Sequence, residues 1–167
     1  MSRTRAREIA LHLIYEMNFR EFGTDEEILE CLEEGALQAL AGEANLYDGP
    51  LTSRQRSYIL TVVRGVAARQ EELDAQIVSY SKGWSLRRIT RISRAVLRLA
   101  LYEMTYVDDV PVGAAINEAV ELAKAYDSDE AGKFVNGILG AAGRALAAQD
   151  KPQELAPLSD TGENTDE

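Results

Sequence analysis

Apolar residues recur every three or four positions along most of this chain, which is the period of an amphipathic α-helix. In the first helical segment this spacing gives one apolar face made of Ala6, Ile9, Ala10, Leu13 and Met17. Threonines followed three residues later by Glu or Gln predict helix starts at Thr24 and Thr52. No segment reads as a strand, so the chain is predicted to be an all-α bundle of about six or seven helices.

Charge is distributed unevenly along the chain. The 167 residues carry a formal net charge of −10, yet residues 1–7 contain three arginines and no acid. Residues 150–167 contain six acids, one lysine and two prolines, with little apolar content. We therefore expect a folded domain over 1–149 and a disordered acidic tail over 150–167. The acidic body disfavours broad, non-specific nucleic-acid binding but allows a small basic site.

Cysteine and hydropathy patterns indicate the cellular setting. Cys31 is the only cysteine, so no intramolecular disulfide can form, and a reducing compartment is expected. No apolar run reaches the roughly 18 residues of a membrane span, and no signal peptide is recognisable. We expect a cytoplasmic protein that does not interact with membranes.

Enzyme chemistry has little support in the sequence. One histidine and one cysteine cannot build a zinc site of His and Cys ligands, and no Walker or Rossmann glycine loop is present. His12 lies one helical turn from Glu8 and Glu16 and is interpreted as a surface residue rather than a general base. We predict a binding protein, with no enzymatic activity, metal or cofactor.

A basic segment, "KGWSLRRITRISRAVLR", runs from residue 82 to 98 without an acid. Its apolar residues mark one helical face, and the opposite face carries Arg87, Arg91, Arg94 and Arg98. Like charges one turn apart destabilise a helix by about 0.2–0.5 kcal/mol per pair. Either acidic neighbours within the fold or a binding partner should therefore face this stripe, and the charge pattern favours neither.

The segment "GKFVNGILG" places an aromatic residue among polar ones. Phe134 stands beside Lys133 and Asn136, and it is either a core residue or a platform on which an RNA base stacks. Tyr15 in the first helix presents the same choice, because it lies off the main apolar face.

Three segments together make the chain recognisable: "RAREIALHLIYEM", "GWSLRRITRISRAVLRLALYEM" and "DVPVGAAINEAVELAKAYDSDEAGKFVNGILG". Over residues 3 to about 145 the chain resembles the NusB family of transcription antitermination factors. The resemblance implies two small helical subdomains, about 1–80 and 81–149, and a function without catalysis. It implies binding to the single-stranded boxA element of nascent ribosomal RNA together with NusE, a small-subunit ribosomal protein. That pair would join other Nus factors on RNA polymerase, suppress premature termination and support ribosomal RNA synthesis.

The resemblance also implies which residues act. Phosphate contacts are expected from Arg3, Arg5, Arg7 and Lys133, base contacts from Tyr15 and Phe134, and further RNA contacts from Glu130 and Asn136. Ser93 stands where the family usually has an acid that contacts the ribosomal-protein partner. Ser93 thus departs from the family at this place. The partner surface is expected to include the basic stripe and this position, that is Arg87, Arg91, Ser93, Arg94 and Arg98.

Two other functions are compatible with this fold. One is a helical adaptor that binds proteins without recognising RNA specifically. The other is the RNA-binding domain of a ribosomal RNA methyltransferase, which the 18 residues after position 149 are too few to complete. Some relatives self-associate, so a homodimer is a further expectation.

Overall fold

The computed structural model describes residues 3–32, 50–82 and 88–154, with side chains described as far as residue 149. These ranges contain seven α-helices and no strand, which confirms the predicted all-α fold. The helices are α1 (Arg3–Glu16), α2 (Asp25–Cys31), α3 (Ser53–Ala68), α4 (Gln70–Tyr80), α5 (Arg91–Tyr106), α6 (Val112–Tyr126) and α7 (Asp129–Glu154).

Helix α5 lies at the centre of the fold and packs against α1, α3, α4, α6 and α7. Because neighbours surround it, 11 of its 16 residues are buried, and these include Arg98 and Glu103 as well as the apolar stripe. At Gly65 of α3 the helices are so close that a Cβ atom would lie 2.1 Å from Cζ of Tyr102. The glycine therefore allows α3 to approach α5.

The predicted caps form as the sequence indicates. At the start of α3, Thr52 Oγ1 accepts a hydrogen bond from the Gln55 N–H (3.1 Å), and Gln55 Oε1 accepts one from the Thr52 N–H (2.9 Å). At the start of α2, Thr24 Oγ1 accepts from the Glu27 N–H, but the Glu27 carboxylate accepts from Gly23 rather than from Thr24. The second capping box is confirmed in full and the first in its threonine half.

Three helix boundaries differ from the sequence pattern. The long helix expected from Thr52 to Tyr80 is divided at Arg69 into α3 and α4. Helix α5, expected to follow a cap at Ser85, begins at Arg91, because Thr90 Oγ1 accepts the Ser93 N–H. Ser85 itself lies outside the described residues. The last helix, expected to end near residue 148, continues to Glu154.

The buried side chains form one apolar cluster drawn from both sides of the predicted subdomain boundary, for example Ile9 and Ile59 on one side and Leu97 and Leu139 on the other. The predicted division between residues 80 and 85 falls largely outside the described part of the chain and stays a prediction. Of the described helices, none is long and apolar enough to span a bilayer.

Candidate nucleic-acid interface

The N-terminal arginines have different surroundings, although they follow one another on α1. Arg7 is buried, and its Nε and Nη2 each donate to the Glu103 carboxylate of α5 at 2.8 Å. Burial opposes the charge of Arg7, but the hydrogen bonds and the charge of Glu103 raise the pKa of this guanidinium above its usual range. Arg7 thus pairs within the fold, and its burial argues against the predicted phosphate contact.

Arg3 lies at the surface. Its side chain is 36% exposed, donates to Asp109 at 2.8 Å and lies over the Tyr58 ring, 5.1 Å from the ring centre. Arg5 is half-buried. Of the three predicted phosphate contacts, Arg3 and Arg5 therefore keep surface that a phosphate can reach.

The predicted arginine stripe on α5 is also divided between interior and surface. Arg98 is buried and donates from Nε and Nη2 to the Asp74 carboxylate of α4, both at 2.7 Å. This pair realises the first of the two alternatives, an acid within the fold, so the prediction that Arg98 faces outward is wrong. The helical wheel assigns Arg98 to the polar face of α5, but α4 packs against this part of the helix and covers it.

The other members of the stripe occupy less buried positions. Arg91 is exposed, and its guanidinium lies 5.5 Å from the ring centre of Phe19. Arg94 is half-buried, and burial, followed by the charge of Arg98, lowers its pKa. Arg87 lies outside the described residues.

Ser93 is buried within the fold. It is only 3% exposed, and its hydroxyl donates to Oδ2 of Asp127 at 2.8 Å. Thr90 donates to the same oxygen at 2.7 Å. The burial of Ser93 argues against the predicted partner contact of its hydroxyl, which instead connects α5 to the α6–α7 turn. The exposed group at this place is the Asp127 carboxylate.

Of the RNA-facing residues predicted at the start of α7, three are exposed and one is half-buried. Glu130, Lys133 and Asn136 are exposed, and Phe134 is half-buried against the core. Ser128 Oγ accepts the Ala131 N–H at 3.0 Å and caps this helix. Phe134 and Glu130 line a cavity of about 320 Å³ that also includes Thr90, Ser93 and Asp127.

Tyr15 lines a larger groove of about 880 Å³ between α1, the start of α5 and the end of α6. Its other walls include His12, Arg91, Arg94 and Tyr126. His12 Nε2 lies 2.8 Å from the Tyr126 hydroxyl, which also donates to Glu8. Burial lowers the pKa of His12, although the Glu8 carboxylate opposes this effect.

The groove and the cavity adjoin, because Ile89 and Thr90 line both. Tyr15 and Phe134 are 119 positions apart in the sequence, yet the cavities that they line share the walls formed by Ile89 and Thr90. We call this combined region the aromatic surface. It carries Tyr15, Phe134, Arg91 and Arg94, and it joins residues predicted for RNA with residues predicted for the partner.

Residues 4–144 match the model of the NusB family. The chain belongs to the NusB family. The transcription antitermination protein NusB of Acetivibrio thermocellus is 47% identical over 140 residues, which cover 84% of this chain and 87% of the relative. The same protein of Bacillus subtilis is 36% identical over 139 residues, covering 83% and 92%.

Solved NusB structures have the same fold. NusB of T. maritima superposes with a TM-score of 0.72 at 30% identity, over 92% of this chain and 98% of that one. A crystal structure of the antitermination factors NusB and NusE in complex with dsRNA superposes with a TM-score of 0.66 at 26% identity, over 86% and 96%. Membership of the NusB family agrees with a binding protein rather than an enzyme.

Two members of the aromatic surface were not anticipated for this NusB-family chain. Phe19 is 59% exposed and contacts Tyr15 edge-on, with ring centres 5.6 Å apart. Phe19 lies beyond the end of α1 at Glu16, so helical periodicity gave no signal for this contact. Tyr126 was not accessible to sequence reasoning, because its contact with His12 spans 114 positions. Within the described ranges, no group of three or more His, Cys, Asp or Glu residues could hold a metal ion.

Proposed function

We propose that this chain is a transcription antitermination factor that binds the boxA element of nascent ribosomal RNA together with NusE. The observation that carries the proposal is the aromatic surface, where the groove lined by Tyr15, Arg91 and Arg94 adjoins the cavity lined by Phe134. Aromatic rings beside cations form the kind of surface on which single-stranded bases stack while phosphates are neutralised.

Family membership supports the same function. Curated relatives along most of this chain are transcription antitermination proteins, and the NusB structure with NusE and dsRNA has the same fold. We assign phosphate contacts to Arg3, Arg5 and Lys133, and base contacts to Tyr15 and Phe134. Glu130 and Asn136 complete the RNA-facing set, and Arg7 is left out because it is buried.

The NusE contact is assigned to the exposed part of the basic stripe. Arg91 and the half-buried Arg94 line the groove beside Tyr15, whereas Arg98 is bound to Asp74 within the fold. We further propose that the pair with NusE joins other Nus factors on RNA polymerase, which places the protein in the cytoplasm. As an alternative to binding NusE, the exposed part of the basic stripe could join two copies of this chain in a homodimer.

The proposal is tested by fluorescence anisotropy with a boxA-like single-stranded RNA and a scrambled RNA, each with and without NusE. We expect tighter binding to the boxA-like RNA and a further gain with NusE. Phe134→Ala should weaken RNA binding about tenfold, because base–aromatic stacking contributes about 1–3 kcal/mol. Tyr106→Ala, which removes another partly exposed aromatic residue, serves as the matched control.

Equal affinity for both RNAs, with no effect of NusE or of Phe134→Ala, would contradict the proposal. That result would favour the helical adaptor without specific RNA recognition. Sedimentation of the free protein over a range of concentrations tests the homodimer separately.

A further inference from the structure

A third cavity, of about 570 Å³, lies away from the aromatic surface, between the N-terminal ends of α1 and α3. Its polar and aromatic lining consists of Arg3, Thr52, Ser53, Arg54, Gln55 and Tyr58. Neither the sequence pattern nor the resemblance assigns a role to the residues of α3 here.

The start of α3 is electropositive for two reasons. The capping box uses the N–H groups of Thr52 and Gln55, whereas those of Ser53 and Arg54 have no partner inside the helix. The first turn contains no acid, and Arg54 is exposed at the cavity. The positive end of the helix dipole and a guanidinium thus face the same space, and both attract anions.

A buried amide points to a ligand independently of the helix end. Gln55 is 94% buried, with a relative exposure of 6%, and it lines the cavity. Its Oε1 is used by the cap, and its Nε2 has no hydrogen-bond acceptor among the described residues. An unsatisfied buried donor costs about 1–3 kcal/mol, and an anionic oxygen in the cavity would satisfy it.

Asp109 shows that an arginine of this cavity already pairs with a carboxylate of the chain. Its carboxylate accepts from Arg3 Nη2 at 2.8 Å while it is largely exposed. The hydrogen bond from Arg3 and then the charges of Arg3 and Arg54 hold the pKa of Asp109 below its usual range. A phosphate oxygen has the same acceptor chemistry as this carboxylate and would compete with it for Arg3.

We propose that this cavity, which we call the α3 phosphate site, binds one backbone phosphate of the RNA whose bases occupy the aromatic surface. The inference rests on the proposed function. Arg3 and Tyr15 lie 12 residues apart on α1, about 18 Å along the helix axis at 1.5 Å per residue. A stacked single strand covers that distance in about five or six nucleotides at ~3.4 Å each, so one RNA can reach both places.

The test uses the full chain and a fluorescein-labelled 12-nucleotide boxA-like RNA at several salt concentrations. Arg54→Ala should weaken binding about fivefold and reduce the log–log salt slope by about 0.7, the value for one single-strand phosphate contact. Arg56→Ala is the matched control, because Arg56 is an exposed arginine two residues further along α3 and does not line the cavity. It should leave the slope nearly unchanged.

Gln55→Glu tests the buried amide without removing the cap. Glutamate at this position still accepts from the Thr52 N–H, but it replaces the Nε2 donor with a negatively charged oxygen. We expect about tenfold weaker RNA binding, measured well below the thermal unfolding temperature of the variant. Asp109→Asn should have the opposite effect and tighten binding about threefold, because it releases Arg3.

Amide NMR spectra distinguish an RNA phosphate from free phosphate. RNA should shift the backbone N–H signals of Ser53 and Arg54 and the side-chain NH₂ signal of Gln55, and Gln55→Glu should abolish the first two shifts. If inorganic phosphate shifts these signals and RNA does not, the cavity is an anion site unrelated to RNA, and the inference is overturned.

The inference and the proposed function can fail separately. Wild-type affinity of Arg54→Ala and Gln55→Glu for the boxA-like RNA, with weaker binding by Phe134→Ala, would overturn the α3 phosphate site alone. No preference of the wild-type chain for boxA-like RNA would overturn the proposed function, and with it the inference.

Discussion

Arg3 and Arg7 lie one turn apart on α1, yet one meets solvent and the other is enclosed. Arg3 pairs with an exposed aspartate at the edge of a cavity, whereas Arg7 pairs with Glu103, which is 1% exposed. Helix α5 repeats the contrast, since Arg91 is exposed beside Phe19 and Arg98 is buried against Asp74. We call Arg7–Glu103 and Arg98–Asp74 the interior pairs, and Arg3 and Arg91 the surface arginines.

The comparison separates two uses of the same residue type. A buried ion pair contributes little net stability compared with apolar packing, but the loss of one partner is expensive because the other charge stays buried. A surface pair contributes about 0–1 kcal/mol and is easily exchanged for another anion. Interior pairs therefore maintain the fold, whereas surface arginines remain available for a ligand.

The largest expected effect is at Arg7. Arg7→Ala should lower the free energy of unfolding by about 3–5 kcal/mol, because it leaves the buried Glu103 carboxylate without a cation. Urea denaturation followed by circular dichroism measures this loss. Arg3→Ala is the control and should change stability by no more than about 0.5 kcal/mol. Similar losses for the two variants would remove the distinction between interior and surface arginines.

A smaller loss is expected at Arg98. Its partner Asp74 keeps 23% of its side chain exposed, so water can solvate the carboxylate once Arg98 is gone. Arg98→Ala should therefore cost about 2 kcal/mol in the same denaturation experiment. Arg91→Ala, on the same helix, should leave stability nearly unchanged and weaken the binding of NusE instead. Full stability of Arg98→Ala would show that this pair does not maintain the fold.

A third effect concerns the hydrogen bonds between the start of α5 and the α6–α7 turn. Asp127→Ala removes the acceptor shared by Thr90 and Ser93 and should destabilise the chain by about 1 kcal/mol. Hydrogen exchange of the amides from residue 89 to 93 should become faster, since the start of α5 is no longer fastened to the α6–α7 turn. Asp108→Ala, another exposed turn carboxylate, should leave those exchange rates unaltered.

The smallest effect is expected from His12, at the border between interior and surface. Because burial lowers its pKa in the folded state, the unfolded chain takes up a proton near pH 6.5 before the folded chain does. The stability from neutral His12 is thus present above about pH 6.5 and falls as the pH drops through the folded pKa, by at most about 1.4 kcal/mol per pH unit.

His12 is the only histidine, so His12→Gln isolates this contribution. Urea denaturation of both proteins at pH 7, 6 and 5 should show a steeper loss of stability for the wild type. Parallel losses would mean that the Glu8 and Tyr126 contacts keep the affinity of His12 for protons equal in the folded and unfolded states.

Local patterns in the sequence determined the helices. The 3.6-residue period identified α1 and the apolar face of α5, and the capping box at Thr52 located the start of α3 within one residue. These features depend on residues within one or two turns of each other, which is why a single sequence contains them. Family membership, recognised from motifs, was confirmed by the match over residues 4–144.

Tertiary structure alone decided what the charged residues do. A helical wheel placed Arg98 and Arg91 on the same face of α5, but α4 covers Arg98 and leaves Arg91 exposed. Ser93 was expected at a partner surface, but its hydroxyl donates a hydrogen bond to Asp127, which lies 34 positions away in the sequence. The carboxylates that pair with Arg7 and Arg98 belong to distant segments of the chain. The spacing of residues within one helix carries no information about such contacts. The sequence by itself thus determined where the arginines stand along each helix, and packing decided which of them still meet solvent.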